Sequence, residues 1–249
     1  MISGKTITGR GRRHADARSE SLASKAYEEI RDSILQGELP LGANLSRRRL
    51  AEELNMSFLP ITEALQRLES ERLVESRPRI GTRVRIPSRE DILDSYVIRE
   101  ALETQAARMA CERMNAAERE QLTRSAKHLD NLYEATEAEK EDSQFLFSVH
   151  TYHVQFHMQI AELAGSPGLV RTIDKEHVLI FNWLYDTTAR RTSLPDGFHR
   201  SLAEAICSGR ASKADQAMRA HVRYGLDSIV ESFSTLEPTG GWRSRRGSQ

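Results

Sequence analysis

Cysteine is scarce: Cys111 and Cys207 are the only two in 249 residues. Two thiols cannot build a disulfide framework, which excludes the small cross-linked secreted scaffolds. Both fall in apolar helical patterns and read as small core residues. There is no run of about 18 apolar residues, so no membrane span is expected, and the N-terminus lacks the apolar stretch of a secretory signal. A cytoplasmic protein with no membrane partner is the expectation. Net charge is lacking as well, with 36 Lys/Arg against 36 Asp/Glu. That balance alone argues against a polyanionic partner, but its distribution does not. Residues 1–87 carry 16 basic and 12 acidic side chains, and residues 88–249 carry 20 and 24. A basic front joined to an acidic back implies that only the front meets a polyanion.

What is present is helical periodicity. Residues 1–20 show no period and read as a disordered tail. Leu22, Ala26, Ile30 and Ile34 share one helix face, and Gly37 suits the position after its end. Residues 38–45 read as a turn. Ser46 then caps a short helix over 47–54, which Asn55 ends in the left-handed region. Ser57 opens a helix to about residue 72, with Pro60 in its first turn. Two extended runs, 73–76 and 82–86, flank Arg77-Pro-Arg-Ile-Gly81. Helix, helix pair with tight turn, then hairpin is the order of a winged helix-turn-helix, placed at 21–87. A helix of this kind fits the DNA major groove. The candidate DNA contacts are Arg47, Arg48 and Arg49, where cations oppose the helix dipole, then Ser57, Phe58 and Thr62 at the recognition helix. Arg79, Gly81 and Arg83 on the hairpin complete the set.

After Pro87 the pattern is helical to about residue 233. Ser88 with Asp91 and Asn115 with Glu118 read as capping boxes, and Asp196 and Ser212 as later helix starts. The expectation is a mainly α protein whose second domain, 88–236, is an all-α bundle of six or seven helices. A disordered tail at 237–249 follows. Within the bundle, Phe145, Val149, Tyr152, Phe156, Ile160 and Leu163 recur at steps of three and four, marking one buried face. His150, His153 and His157 form a second row beside it. His at i and i+4 presents two nitrogens to one ion, and His199 and His221 stand on later helices. The alternative is a set of satisfied core histidines. No nucleophile constellation and no Glu within the His motif supports an enzyme, although a His-ligated metal could in principle activate water.

Leu39-Pro-Leu-Gly-Ala-Asn-Leu-Ser46, Leu50-Ala-Glu-Glu-Leu54, Ser57-x-x-Pro60-Ile61-x-Glu63-Ala64-Leu65-x-x-Leu68 and Gly81 resemble the winged helix of GntR-type transcription regulators. The remainder resembles the FCD ligand-binding domain of their FadR subfamily, so the resemblance spans about residues 22–235. It implies a dimeric, ligand-responsive transcription regulator, a repressor, acting at a pseudo-palindromic site on double-stranded DNA. It also implies a small carboxylate effector in a metal-containing helical pocket. Many such domains use Asp-x-x-x-His plus one His from each of two later helices. Here the ligands would be His153, His157, His199 and His221, with His153 in place of Asp and His150 in reserve. An all-His set favours a borderline divalent ion, Zn²⁺ or Ni²⁺. Arg99 matches an Arg that often reaches the effector, the alternative being a surface pair with Glu103. Asn182 and Trp183 are the other candidate effector contacts. A regulator that senses the metal itself is the alternative function. Phe58, Leu59 and Thr62 stand where the family usually has Arg, Thr and Arg. That departure implies an unusual operator, or weaker binding supported by Arg47–Arg49 and the wing.

Overall fold

Twelve elements follow one another in a computed structural model that describes residues 21–136, 142–176 and 194–235. The front half contains α1 (Leu22–Leu35), β1 (Asn44–Leu45), α2 (Arg47–Glu53), α3 (Phe58–Ser70), β2 (Val74–Arg77) and β3 (Gly81–Val84). The back half contains α4 (Arg89–Arg113), α5 (Ala116–Ala135), α6 (Ser143–Leu163), α7 (167–176), α8 (Phe198–Cys207) and α9 (Ala211–Thr235). The expected tails, Asn182 and Trp183 lie outside the described residues.

The winged helix forms where the periodicity placed it. Ser21 caps α1 by accepting from Ser24 N, and Ala26, Ile30 and Ile34 are buried against α3. Leu22, expected on that face, is the first residue of the helix and is exposed. Ile61, Leu65 and Leu68 of α3 complete this core. Fully burying each such side chain is worth roughly 1.5–3 kcal/mol. Asn55 ends the turn between α2 and α3 with a φ of 50°. The stretch read as a turn at 38–45 also contributes a short strand. β1 pairs with β3 (Leu45 opposite Thr82), giving a three-stranded antiparallel sheet in the order β1-β3-β2. Two residues of strand are too few for alternation to mark.

Both capping boxes form: Ser88 with Asp91 opens α4, and Asn115 with Glu118 opens α5. Arg85 Nη2 donates to Asp91 Oδ1 at 2.7 Å, tying the end of the wing to the start of the bundle. α4 packs on α6 and α9, α5 on α6 and α8, and α8 on α9. Their shared core includes Phe156, Ile160, Leu129, Leu202, Met218 and Ile229. Leu41 touches both this core and that of the winged helix. Glu100 on α4 accepts from Arg223 Nε at 2.7 Å and also from Arg219, fastening α9. Two helix starts differ from the reading. α9 begins at Ala211, so Ser212 lies inside it. α8 begins at Phe198 after Gly197 in the left-handed region, and Asp196 does not cap it. Its first amides instead meet a carboxylate from another helix, Asp130 of α5.

Candidate metal centre and nucleic-acid interface

The histidine row of α6 divides once the helices pack. His150 is buried one turn before the others and is not part of the group that follows. His153 and His157 face α9, and one nitrogen from each of His153, His157 and His221 lies within 4.8 Å of the others. The Nε2 atoms of His153 and His157 are 3.0 Å apart, and those of His157 and His221 are 3.2 Å apart. His199, at the start of α8, stands beside them, its ring centroid 5.0 Å from that of His153 and 5.3 Å from that of His221.

Three of these rings are held from behind through Nδ1. Tyr133 Oη lies 2.8 Å from His153 Nδ1, Glu103 Oε2 lies 2.5 Å from His157 Nδ1, and Asp130 Oδ1 lies 2.8 Å from His199 Nδ1. A carboxylate accepts, so Nδ1 of His157 and of His199 carries the proton and Nε2 carries the lone pair. Outer partners of this kind fix ring orientation and raise the basicity of ligating imidazoles. Burial, followed by repulsion from His157 and His199, holds His221 well below the usual histidine pKa, so its ring is neutral near pH 7. His221 Nδ1 is buried without a hydrogen-bond partner.

The site therefore fits a cation. The Nε2 lone pair of His157 faces two other Nε2 atoms, an arrangement in which two neighbours compete for one acceptor. Nitrogens bound to one ion at about 2.0–2.1 Å are about 2.9–3.4 Å apart for bond angles from 90° to tetrahedral. The separations of 3.0 and 3.2 Å fall in that interval.

Arg99 is buried, and it is paired: its Nε donates to Glu103 Oε1 at 2.7 Å. The Glu103 partner named as the alternative is thus present, but the pair is interior and not on the surface. Glu103, only 2% exposed, bridges Arg99 and His157. Burial pushes the Arg99 pKa down, but Glu103 and Tyr96 more than offset it and the guanidinium stays charged. Asp130 is similarly engaged. Burial raises its pKa, yet hydrogen bonds from the His199 ring and from the His199 and Arg200 amides leave it below the ordinary value. Arg200 Nε completes that cluster at 3.0 Å. Among the described residues, the charged side chains bonded to these rings form two pairs, Arg99–Glu103 and Arg200–Asp130. Glu103, Asp130 and Tyr133 were missed by sequence reading. The one available signal was the i, i+4 spacing of Arg99 and Glu103, which surface pairs share.

At the other end of the chain, Arg47, Arg48 and Arg49 are exposed on the first turn of α2. Arg48 and Arg49 bond Glu52 and Glu53 one turn on, at 3.0 and 2.6 Å. Ser57 is the N-cap of α3 but its hydroxyl makes no capping bond. The first amides of α3 therefore lack a side-chain cap, and such an end attracts phosphate. Phe58 and Leu59 follow at 60% and 67% exposure. Thr62 Oγ1 bonds back to Phe58 O at 2.8 Å. On the wing, Arg79 is exposed with a φ of 66°, and Gly81 has a φ of 116° that side chains avoid. Arg83 departs from the expected set. It stands opposite Glu75 in the β2–β3 register, is ion-paired to it, and its side chain is 14% exposed. It braces the hairpin instead of projecting from it.

A winged helix with an exposed recognition-helix N-terminus, followed by an all-helical domain with a buried polar centre, is the architecture of a DNA-binding regulator with an appended helical domain. The chain belongs to the gntR family of bacterial regulatory proteins, whose pattern matches residues 22–84, and carries an FCD domain at residues 94–224. It is similar to the probable D-xylose utilization operon transcriptional repressor of Paenarthrobacter nicotinovorans, with 28% identity over 85% of this chain and 90% of that protein. It is also similar to the HTH-type transcriptional regulator Mce2R of Mycobacterium tuberculosis, with 30% identity over 79% of this chain and 87% of the relative. The fold matches solved structures of Escherichia coli McbR/YncC, with a TM-score of 0.69 at 20% identity over 86% of this chain and 99% of that one. A GntR regulator from Rhodococcus sp. RHA1 matches with a TM-score of 0.68 at 22% identity and the same coverage. The protein is thus a DNA-binding transcription regulator and not an enzyme. No helix among the described residues is long and apolar enough to cross a membrane.

Proposed function

We propose that this regulator is a repressor whose operator affinity is set by a small carboxylate sensed at a divalent metal in the helical domain. One observation carries the reading: three Nε2 donors converge within 4.8 Å while Nδ1 of His153 and of His157 is held by Tyr133 and Glu103. His153, His157 and His221 would hold the ion, with His199 as a fourth ligand oriented by Asp130. Imidazole donors favour Zn²⁺ or Ni²⁺. When bound, the ion supplies a Lewis-acidic centre for an anionic ligand. Charge supports an acid as that ligand. Among the described residues the nearby ionic groups pair off as Arg99–Glu103 and Arg200–Asp130, and imidazole ligates a metal in its neutral form, so a divalent cation would leave about two positive charges in a low-dielectric site. An effector carboxylate offsets part of that charge.

Regulation requires that the effector bind two arrangements of the protein with different affinity. As a homodimer reading two half-sites, the protein would recognise a pseudo-palindromic operator. The DNA face comprises Arg47–Arg49, the N-terminus of α3 and the wing tip at Arg79–Gly81. Phe58 and Leu59 supply apolar contacts, such as those made to thymine methyl groups.

Metal analysis of the purified protein beside His157→Ala tests the site. The wild type should carry close to one ion per chain and the variant little; equal content in both overturns the reading. Operator binding measured with a panel of organic acids, with and without chelator, tests the sensing. A response to an acid that is lost with the metal is expected, and no response to any acid overturns it.

A further inference from the structure

A cavity that no histidine lines lies between the winged helix and the helical domain. It encloses about 500 Å³ and is walled by α1 and α3 on one side and by α7 on the other. Arg31, Arg67, Arg171 and Lys175 all line it. Arg67 is already committed: its guanidinium lies 3.6 Å over the Tyr27 ring and its Nε bonds Glu71 at 3.3 Å. Glu71 also accepts from Tyr27 Oη at 2.6 Å. Arg31, Arg171 and Lys175 form no hydrogen bond or ion pair with any described residue. Arg31 Nε is moreover buried with no hydrogen-bond partner. Arg31 also lines an adjoining cavity of about 290 Å³, so it stands where the two meet.

A buried guanidinium nitrogen without an acceptor is costly, since an unsatisfied charged donor loses its hydration and gains nothing in return. An anion entering this half-open cleft, between three cations that have no ion pair among the described residues, lowers that cost. Glu28 and Asp174 also line this cavity, so apart from the Arg67–Glu71 pair its own lining sets three cations against two carboxylates, while Asp32 acts on Arg31 from the adjoining cavity. The planar guanidinium forks suit a tetrahedral oxyanion, which each can bind with two parallel hydrogen bonds.

We infer that this interdomain cleft is a binding site for a small phosphorylated anion, held by Arg31 from the winged helix and by Arg171 and Lys175 from α7. The site is distinct from the histidine cluster and independent of its function. Because the ligand would touch both halves, its binding would couple their relative placement to operator affinity. The phosphates of DNA are a different source of the same chemistry. The recognition end of α3 is about 13 Å from Arg67 along the helix, nine residues at about 1.5 Å each.

The test is titration of the full chain with inorganic phosphate by calorimetry, at constant ionic strength with chloride as the control anion. Saturable binding is expected, weakened about 10-fold by Arg31→Gln and by Arg171→Gln, the loss of one charge-assisted hydrogen bond. His157→Ala should leave it unchanged, which separates this site from the metal centre. Circular dichroism melting without phosphate checks that each variant folds, and Arg171→Lys, which keeps the charge but loses the guanidinium fork, serves where Arg171→Gln does not fold. Absence of saturation, binding equal in the Arg31→Gln and wild-type proteins, or loss of binding in His157→Ala overturns the inference.

Discussion

Replacing Glu103 by glutamine is the sharpest probe of the histidine cluster. Glu103 Oε1 accepts from Arg99 Nε at 2.7 Å, and Oε2 accepts from His157 Nδ1 at 2.5 Å. The new amide has one oxygen and one NH₂. If the oxygen keeps Arg99, the NH₂ donates to His157 Nδ1 and forces the proton onto Nε2. That tautomer presents no lone pair to the other two Nε2 atoms. Loss of an outer partner typically lowers metal affinity about 10–100-fold, and the tautomer argument places this variant at the upper end. Stability falls too. A hydrogen bond to a charged group is worth about 1.5–3 kcal/mol, while removing one partner of a buried ion pair costs about 3–5. The amide keeps both contacts in weakened form, so about 2–4 kcal/mol is expected. At about 2–4 °C per kcal/mol for a chain of this size, Tm should drop roughly 5–15 °C. Metal affinity is read by competition with a chromophoric chelator, and Tm by circular dichroism on metal-free protein. Glu100→Gln is the control: it loosens the α4–α9 ties to Arg219 and Arg223 without touching the rings. A Glu103→Gln protein that melts early but binds metal within twofold of wild type would refute the reasoning and reduce Glu103 to a core ion-pair partner.

Asp91→Ala should cost about 1–2 kcal/mol by removing the capping box of α4, read by urea denaturation. Burial raises the Asp91 pKa, but bonds from Ser88 and Arg85 leave it below the ordinary value. The stability gap between wild type and Asp91→Ala should therefore be full above about pH 3.9, the unfolded value, and close as pH falls through the lower folded value. A gap that widens below pH 3.9 would contradict the sign. Arg47→Ala should weaken operator binding and reduce the salt slope by about one, measured by fluorescence anisotropy across salt concentrations. Arg83→Ala should change that slope less, because Arg83 is engaged with Glu75. Phe58→Ala should shift stability by no more than about 0.5 kcal/mol yet lower operator affinity, whereas Leu65→Ala in the buried face of the same helix should cost about 2–5. Thermal melts and gel-shift titrations together distinguish those two positions.

The division between what was legible and what was not follows sequence distance. The apolar periods of α1, α3 and α6 are local, and they placed Ile30, Ile61 and Phe156 in cores before any packing was known. The capping boxes are local also, since Ser88 and Asp91 need only each other. Candidate ligand histidines announce themselves because i and i+4 share a helix face, which brings His153 to His157 without reference to another element. Their supports do not. Glu103 is 54 residues from His157, and Asp130 is 69 from His199. Neither carboxylate carries any mark of its partner, and charged residues are almost never fully buried unless paired. Arg99-x-x-x-Glu103 therefore reads as a solvated pair until α4 is seen to pack against both α6 and α9. The same cause hid the start of α8. Asp196 looks like its cap because capping is usually local, yet the amides of His199 and Arg200 are met by Asp130 of α5. That single carboxylate binds a helix N-terminus and the Nδ1 of His199 at once. Capping of α8 and orientation of a candidate ligand are thus one interaction, so a change at Asp130 cannot alter the site without also loosening the helix that carries it.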